Sequence, residues 1–149
     1  MILQIVGAFV AMYWFAVLIE TPKKYLPMAG VVASVGWFVY LTCENASDDA
    51  VLATFFSALT VTIISHVLAR KLKTPVTIFL IAGIIPTVPG ATMYRIAYYV
   101  ILGDNDMSIH YLMEMFKIAG AIAVAIFIVD SLFRIYYRNW GAWKRNKNE

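Results

Sequence analysis

Residues 85–95 read IPTVPGATMYR and lie inside the longest apolar run of the chain, residues 75–102. Pro86 and Pro89 each lack a backbone donor and clash with the preceding helical turn, so a helix cannot continue unbroken through them. The midpoint of the apolar run falls at positions 88 and 89, beside this interruption. The sequence therefore predicts a broken helix whose break lies near the bilayer centre, with Arg95 close by.

Composition places the chain among integral membrane proteins. Of its 149 residues, 62% are hydrophobic and 14% are charged, whereas soluble domains are nearer to half apolar and a quarter charged. We predict a single all-α membrane domain over residues 1–149. The net charge is +3, but the basic residues lie in short loops beside predicted spans. We therefore reject nucleic acid as a partner and predict contact with the lipid bilayer.

Five apolar segments predict five transmembrane helices, each of which needs roughly 20 residues to cross a bilayer. The fourth of these helices is predicted to be broken at Pro86, Pro89 and Gly90. The predicted spans lie at about residues 2–19, 26–42, 50–69, 75–102 and 112–133.

The charges of the loops predict the orientation. Alternate loops are basic, at residues 23–24, 70–73 and 134–147, and the loops between them, at 44–49 and 104–106, are acidic. Because positive loops stay inside, we expect an external N-terminus and a cytoplasmic C-terminus. Residues 134–149 then form a basic cytoplasmic tail.

The break is the strongest candidate for a binding site. The first amides of the second half-helix lack intrahelical partners and carry partial positive charge, which suits an anion such as a carboxylate. Discontinuous spans form the binding sites of many secondary transporters. The alternative is a packing kink in which Arg95 pairs with an acid such as Asp130. The candidate substrate-binding residues are Pro86, Thr87, Pro89, Gly90, Tyr94 and Arg95.

The third predicted span carries a face of small and polar residues that lipid does not favour. This face either packs on protein or lines an aqueous path. The candidate pathway-lining residues are Thr54, Ser57, Thr62 and Ser65.

The remaining ionisable residues indicate no catalysis. Asp130 lies four residues before Arg134, so an ion pair at the interface is the simpler interpretation and a proton relay the alternative. His66 and His110 are predicted on opposite sides of the membrane, so a shared metal site is not expected. Since no nucleophile triad, carboxylate pair or phosphate loop stands out, we predict neither an enzyme nor a cofactor.

The interrupted segment and several shorter motifs resemble the threonine/serine exporter family, in particular its small C-terminal-type module. The interruption is the most specific part, and only Pro86, Pro89, Gly90 and Tyr94 match the motif of the family. The supporting motifs are Pro22-Lys23-Lys24, Gly36-Trp37 and Gly103-Asp104.

The resemblance implies a larger five-span subunit as partner, which would complete a ten-span exporter in the bacterial inner (plasma) membrane. It implies export of threonine and serine, or of a dicarboxylate such as succinate, coupled to the proton gradient. Five spans are few for a complete path, so we expect a hetero- or homo-oligomer. The alternative is a non-transporting scaffold subunit that stabilises the larger partner.

Overall fold

A computed structural model describes the backbone of residues 1–146 and the side chains of residues 1–136. The described chain contains six α-helices and two short 3-10 turns, at Lys23–Tyr25 and Ile85–Thr87, and no strand. The predicted all-α class is therefore confirmed. The α-helices are α1 (Ile2–Leu18), α2 (Leu26–Ser47), α3 (Ala50–Leu72), α4 (Thr77–Ile84), α5 (Gly90–Leu102) and α6 (Asn105–Asn146).

The basic tail predicted at residues 134–149 is described only in part. Helix α6 continues through it to Asn146. The side chains beyond residue 136 and the backbone of residues 147–149 lie outside the described part of the chain.

Three segments of the described chain are long and apolar enough to cross a bilayer: Lys23–Ser47, Ala50–Leu72 and Asn105–Tyr136. The bent pair Thr77–Thr87 and Gly90–Leu102 makes a fourth if the two helices form one span. Helix α1 has only 17 residues, which is at the lower limit for crossing. Length and composition thus support three or four spans, and the predicted fifth span and the orientation of the termini stay predictions.

Acidic residues of the two predicted external loops begin the helices that follow them. Oδ1 of Asp49 accepts hydrogen bonds from the amides of Val51 (2.8 Å) and Leu52 (3.3 Å) at the start of α3. Oδ1 of Asp104 accepts one from the amide of Met107 (3.1 Å) at the start of α6. Aspartate is favoured at this position because its side chain satisfies amides that lack intrahelical partners. Since this cap starts α6 at Asn105, the helix begins before residue 112, where the apolar segment was predicted to start.

Helices α2, α3 and α4 pack closely around Val61 of α3. A side chain at Gly36 of α2 would place its Cβ 2.5 Å from Val61 Cγ2, and one at Gly83 of α4 would overlap Val61 from the other side. The hydroxyl of Ser57 also donates a 2.7 Å hydrogen bond to the carbonyl of Gly36 across the α2–α3 contact. Small residues thus let the helix backbones approach, which is the usual way in which helices associate in lipid.

The other half of the fold is a hairpin of α5 and α6. Helix α5 packs chiefly on α6, and α6 in turn packs along α3. Thr92 is the only buried residue of α5. The segment that follows the break is therefore attached to the α2–α3–α4 core through α6.

The packing around Val61 predicts that Gly83→Ala destabilises the protein, whereas Gly120→Ala does not. The new methyl at position 83 overlaps two β-branched side chains, Val61 and Val32, and overpacking of this kind costs about 1–3 kcal/mol. A methyl at Gly120 meets no heavy atom within 4 Å. Thermal unfolding of both variants in detergent, followed by circular dichroism, measures the difference. Equal melting temperatures for the two variants would contradict this account of the core.

Candidate functional site

The chain turns between α4 and α5 through a compact series of backbone conformations. The two helical segments meet at an angle of 49°. Val88 is extended, with φ −62° and ψ 134°, as expected for a residue before proline. Pro89 has φ −75° and ψ 55°, and the amide of Gly90 donates a 2.7 Å hydrogen bond to the carbonyl of Val88. Pro89 is therefore the centre of an inverse γ-turn.

Several polar groups at this break already have partners. The hydroxyl of Thr87 donates a 2.8 Å hydrogen bond to the carbonyl of Ile84. The amide of Val88 donates to the carbonyl of Ile85 (3.1 Å). The carbonyl groups at the end of α4 thus have more hydrogen-bond partners than the sequence alone suggested, because the hydroxyl of Thr87 caps this end.

The start of α5 keeps two free donors. The amide of Met93 reaches the carbonyl of Pro89 (3.0 Å), whereas the amides of Ala91 and Thr92 have no partner within the described chain. Gly90 and Ala91 are exposed, and no heavy atom lies within 4 Å of a Cβ built on Gly90. The amide of Ala91 therefore lies where a solute or another protein can approach it, whereas Thr92 is buried.

An open cleft borders the break on the side of α1 and α2. Its volume is about 290 Å³, at the lower limit of the roughly 300–1,000 Å³ that is usual for ligand pockets. A cleft of this size suits a small solute rather than a large cofactor. The lining residues are Gln4, Gly7, Ala8, Ala11, Met12, Trp37 and Pro86.

Arg95 and Tyr94 do not point to the break in this conformation. Both are exposed, and the guanidinium of Arg95 lies 5.2 Å from the ring centroid of Tyr111 in α6, a cation–π contact. Tyr111 also stacks on Tyr99, one turn further along α5 from Arg95. Arg95 therefore reaches away from Gly90, and its contact differs from both the substrate and the acid considered from the sequence.

The four candidate pathway residues of α3 are all buried. Thr54 and Thr62 donate to the carbonyls one helical turn earlier (2.7 and 2.6 Å), and Ser57 donates to Gly36. The hydroxyl of Ser65 has no partner in the described chain. This face is closed by helix packing here, and its role in lining a path stays a prediction.

Sequence reasoning missed a contact between α3 and α6. The Nε2 atom of His66 lies 2.5 Å from Oδ1 of Asp130, whereas Asp130 was assigned to Arg134 and His66 had no expected partner. The imidazole also stacks on Phe133, with ring centroids 4.6 Å apart. The spacing of the sequence carried a signal. His66 and Asp130 each lie four residues before an arginine of a predicted basic loop, Arg70 and Arg134.

Two buried polar atoms beside this contact have no hydrogen-bond partner in the described chain, Nδ1 of His66 and Oγ of Ser65. An unsatisfied buried donor or acceptor costs roughly 1–3 kcal/mol. In the part of the chain that the structure describes, no three metal-binding side chains come together.

The long apolar helices and the bent pair indicate a multi-pass membrane protein. A family model described as "Threonine/Serine exporter, ThrE" matches residues 4–132. The chain belongs to the threonine/serine exporter family, which is a family of transporters and not of enzymes. No curated protein and no solved structure gives a significant match to the chain.

We expect Thr87→Val to destabilise the protein more than Thr60→Val. Thr87 is buried and caps Ile84 at the break, and a hydrogen bond of this kind contributes about 0.5–1.5 kcal/mol. Thr60 is a matched control, since its hydroxyl donates to Phe56 within an unbroken helix (2.9 Å). Chemical denaturation in detergent measures both free energies of unfolding. A loss at position 87 no larger than that at position 60 would rule out a special role of the cap.

Proposed function

We propose that this chain is the small subunit of a two-component secondary transporter that exports small carboxylate-bearing solutes. The solutes are threonine- and serine-type amino acids or dicarboxylates such as succinate. The observation that carries the proposal is the pair of amides, on Ala91 and Thr92, that have no partner in the described chain at the start of α5. An open cleft lined by Pro86 borders the same break.

These amides suit a carboxylate for two physical reasons. They are unsatisfied donors, and they lie at the positive end of the α5 dipole. Gly90 lets the anion approach the backbone because it has no side chain. Pro86 and Pro89 hold the turn that exposes the amides. A carboxylate of the solute is thus bound mainly by backbone groups, as at other anion sites on helix N-termini.

The other candidate residues join the site only if the conformation changes. The hydroxyl of Thr87 is bonded to Ile84, and Arg95 with Tyr94 lies further along α5. Alternating access would move the α5–α6 hairpin relative to the core and let Arg95 leave Tyr111 for the solute. The buried hydroxyl face of α3 would then line the path.

The surface of the hairpin supports association with another subunit. Large apolar side chains on α5 and α6 are exposed, among them Ile101, Phe116 and Phe127. Lys117 is exposed on the same helix, and a charge facing lipid is costly. We propose that a larger five-span subunit of the same family, or a further copy of the chain, covers part of this surface in a bacterial inner membrane.

Gly90→Leu tests the site directly. The new side chain fills the approach to the free amides, so export should fall at least tenfold while the protein still reaches the membrane. The control is Ala97→Leu, which adds a side chain of the same size at an exposed position of the same helix. Efflux of labelled serine and succinate is measured with the larger subunit co-expressed. Unchanged efflux in Gly90→Leu would mean that the break is a packing kink or that the chain is a scaffold.

Arg95 is tested by a second pair of variants. If its guanidinium binds the carboxylate, Arg95→Ala raises the KM for export strongly. Arg95→Lys has an intermediate effect, because lysine keeps the charge but not the forked donors. Tyr111→Phe is the control, since phenylalanine keeps the ring on which Arg95 rests. A KM equal to the wild-type value in all three variants would remove Arg95 from the site.

A further inference from the structure

The contact between His66 of α3 and Asp130 of α6 is an ionisable pair between apolar helices. We propose that this pair binds and releases the proton whose movement drives export, an inference that rests on the proposed transport function. Ionisable residues within membrane helices are rare and often form proton relays. The pair lies apart from the break, so the proton and the solute would use different sites on the chain.

The geometry defines how many protons the pair holds at rest. A deprotonated imidazole nitrogen and a carboxylate oxygen are both acceptors, so atoms 2.5 Å apart share a proton between them. With Asp130 ionised, Nε2 carries that proton and donates it to Oδ1. The lone pair is then on Nδ1, which is buried and has no partner in the described chain. Nδ1 is thus a vacant base.

One further proton therefore binds at Nδ1. An N–H bond forms there, and the resulting imidazolium is balanced by the carboxylate of Asp130. When the contact between α3 and α6 opens, the same N–H bond breaks and the proton returns to water. No other bond changes, and one proton is taken up and released for each cycle.

The two members of the pair differ in exposure. The side chain of Asp130 is 47% exposed and that of His66 only 11%. Asp130 lines an open cleft of about 320 Å³ together with Ser131 and Arg134. In the other direction, the buried hydroxyl face of α3 continues from Ser65 to Thr54. Asp130 thus borders an open groove along α6, whereas His66 lies among the buried residues of α3.

Two cationic side chains lie near the pair. Arg70, one turn along α3, lies with its guanidinium 5.4 Å from the ring of Phe133, which stacks on His66. Arg134 lines the cleft beside Asp130. While the contact is closed, the carboxylate balances the imidazolium. Separation from Asp130 removes this balance, and in the proposed cycle the proton leaves at that step.

The other helices that pack on α3 add no titratable group at this depth. Helix α4 has no titratable side chain. Those of α2 lie toward the opposite end from His66, because Leu72 at the end of α3 meets Tyr25, which precedes α2. Tyr25 itself donates to the carbonyl of Leu72 (3.4 Å). The titratable residues of α2 are Tyr40, Cys43 and Glu44.

Reconstituted vesicles that contain both subunits can separate proton coupling from solute binding. Exchange of labelled for unlabelled solute needs no net proton movement, whereas export against a gradient with an imposed pH difference does. We expect His66→Gln and Asp130→Asn to keep exchange within twofold of the wild-type rate. In both variants, the rate of pH-driven export should fall at least tenfold. Proton uptake, which a pH-sensitive dye follows, should fall to the background rate. Glutamine keeps a donor to Asp130 and asparagine keeps an acceptor, so the helix contact persists. His66→Gln removes the imidazole that takes up the proton, and Asp130→Asn removes the carboxylate that balances the imidazolium.

The chain supplies its own control. His110→Gln removes the other histidine, which lies exposed near the start of α6, and should leave both exchange and pH-driven export unchanged. Asp130→Glu keeps a carboxylate and should retain proton coupling. Amounts in the membrane are measured for each variant by immunoblot. If His66→Gln is poorly inserted, proton release on addition of solute is measured in detergent instead. We expect the wild type to show this release and Asp130→Asn to lack it.

Two results would overturn the inference, and they are distinguishable. If His66→Gln and Asp130→Asn export solute under a pH difference with the wild-type proton-to-solute ratio, the pair is not the coupling site, although transport stands. If wild-type vesicles exchange neither serine nor succinate, the proposed function fails, and this inference fails with it.

Discussion

The close contact around Val61 is the constraint on which the rest of the structure depends. Its two methyl groups fit against Gly36 and Gly83 because neither neighbour has a side chain. Ser57 adds a hydrogen bond across the same contact. This packing places α4 against α2 and α3, and so determines where the chain reaches Pro86.

The turn at Pro89 shows how a polar backbone is kept within an apolar bundle. Buried backbone groups normally find partners, and most groups here do so through Thr87 and the inverse γ-turn. The amides of Ala91 and Thr92 remain free because the preceding residues are not helical. The two prolines thus do more than end a helix, since they leave donors unsatisfied at one defined place.

Much of the fold was predictable from local sequence. The helical class followed from composition, the interruption from two prolines, and the close helix contacts from small residues at helical spacing. The number of spans was less certain, because α1 is at the lower limit of length. The acidic loops were interpreted only as markers of orientation, whereas Asp49 and Asp104 also cap α3 and α6.

The side-chain partners were less predictable. Arg95 rests on Tyr111, and Asp130 reaches His66 instead of Arg134. Both partners lie on a different helix, so a rule based on spacing within one helix cannot find them. Equal depth in neighbouring helices is the signal that identifies such pairs, and it can be used only when the order of helix packing is known.

The attachment of α5 to α6 has a mechanical consequence. Since α5 packs chiefly on its hairpin partner, a movement of the hairpin as one body would change the contact of α6 with α3 and leave the contacts of Val61 with Gly36 and Gly83 in place. The backbone link to the core then consists of the turn at residues 88–90, and few dihedral angles need to change, as in other hinges. The second attachment is the contact of α6 with α3, which includes His66 and Asp130. This half of the molecule is therefore held to the core at two places, a backbone turn at one end and an ionisable side-chain contact part of the way along α6.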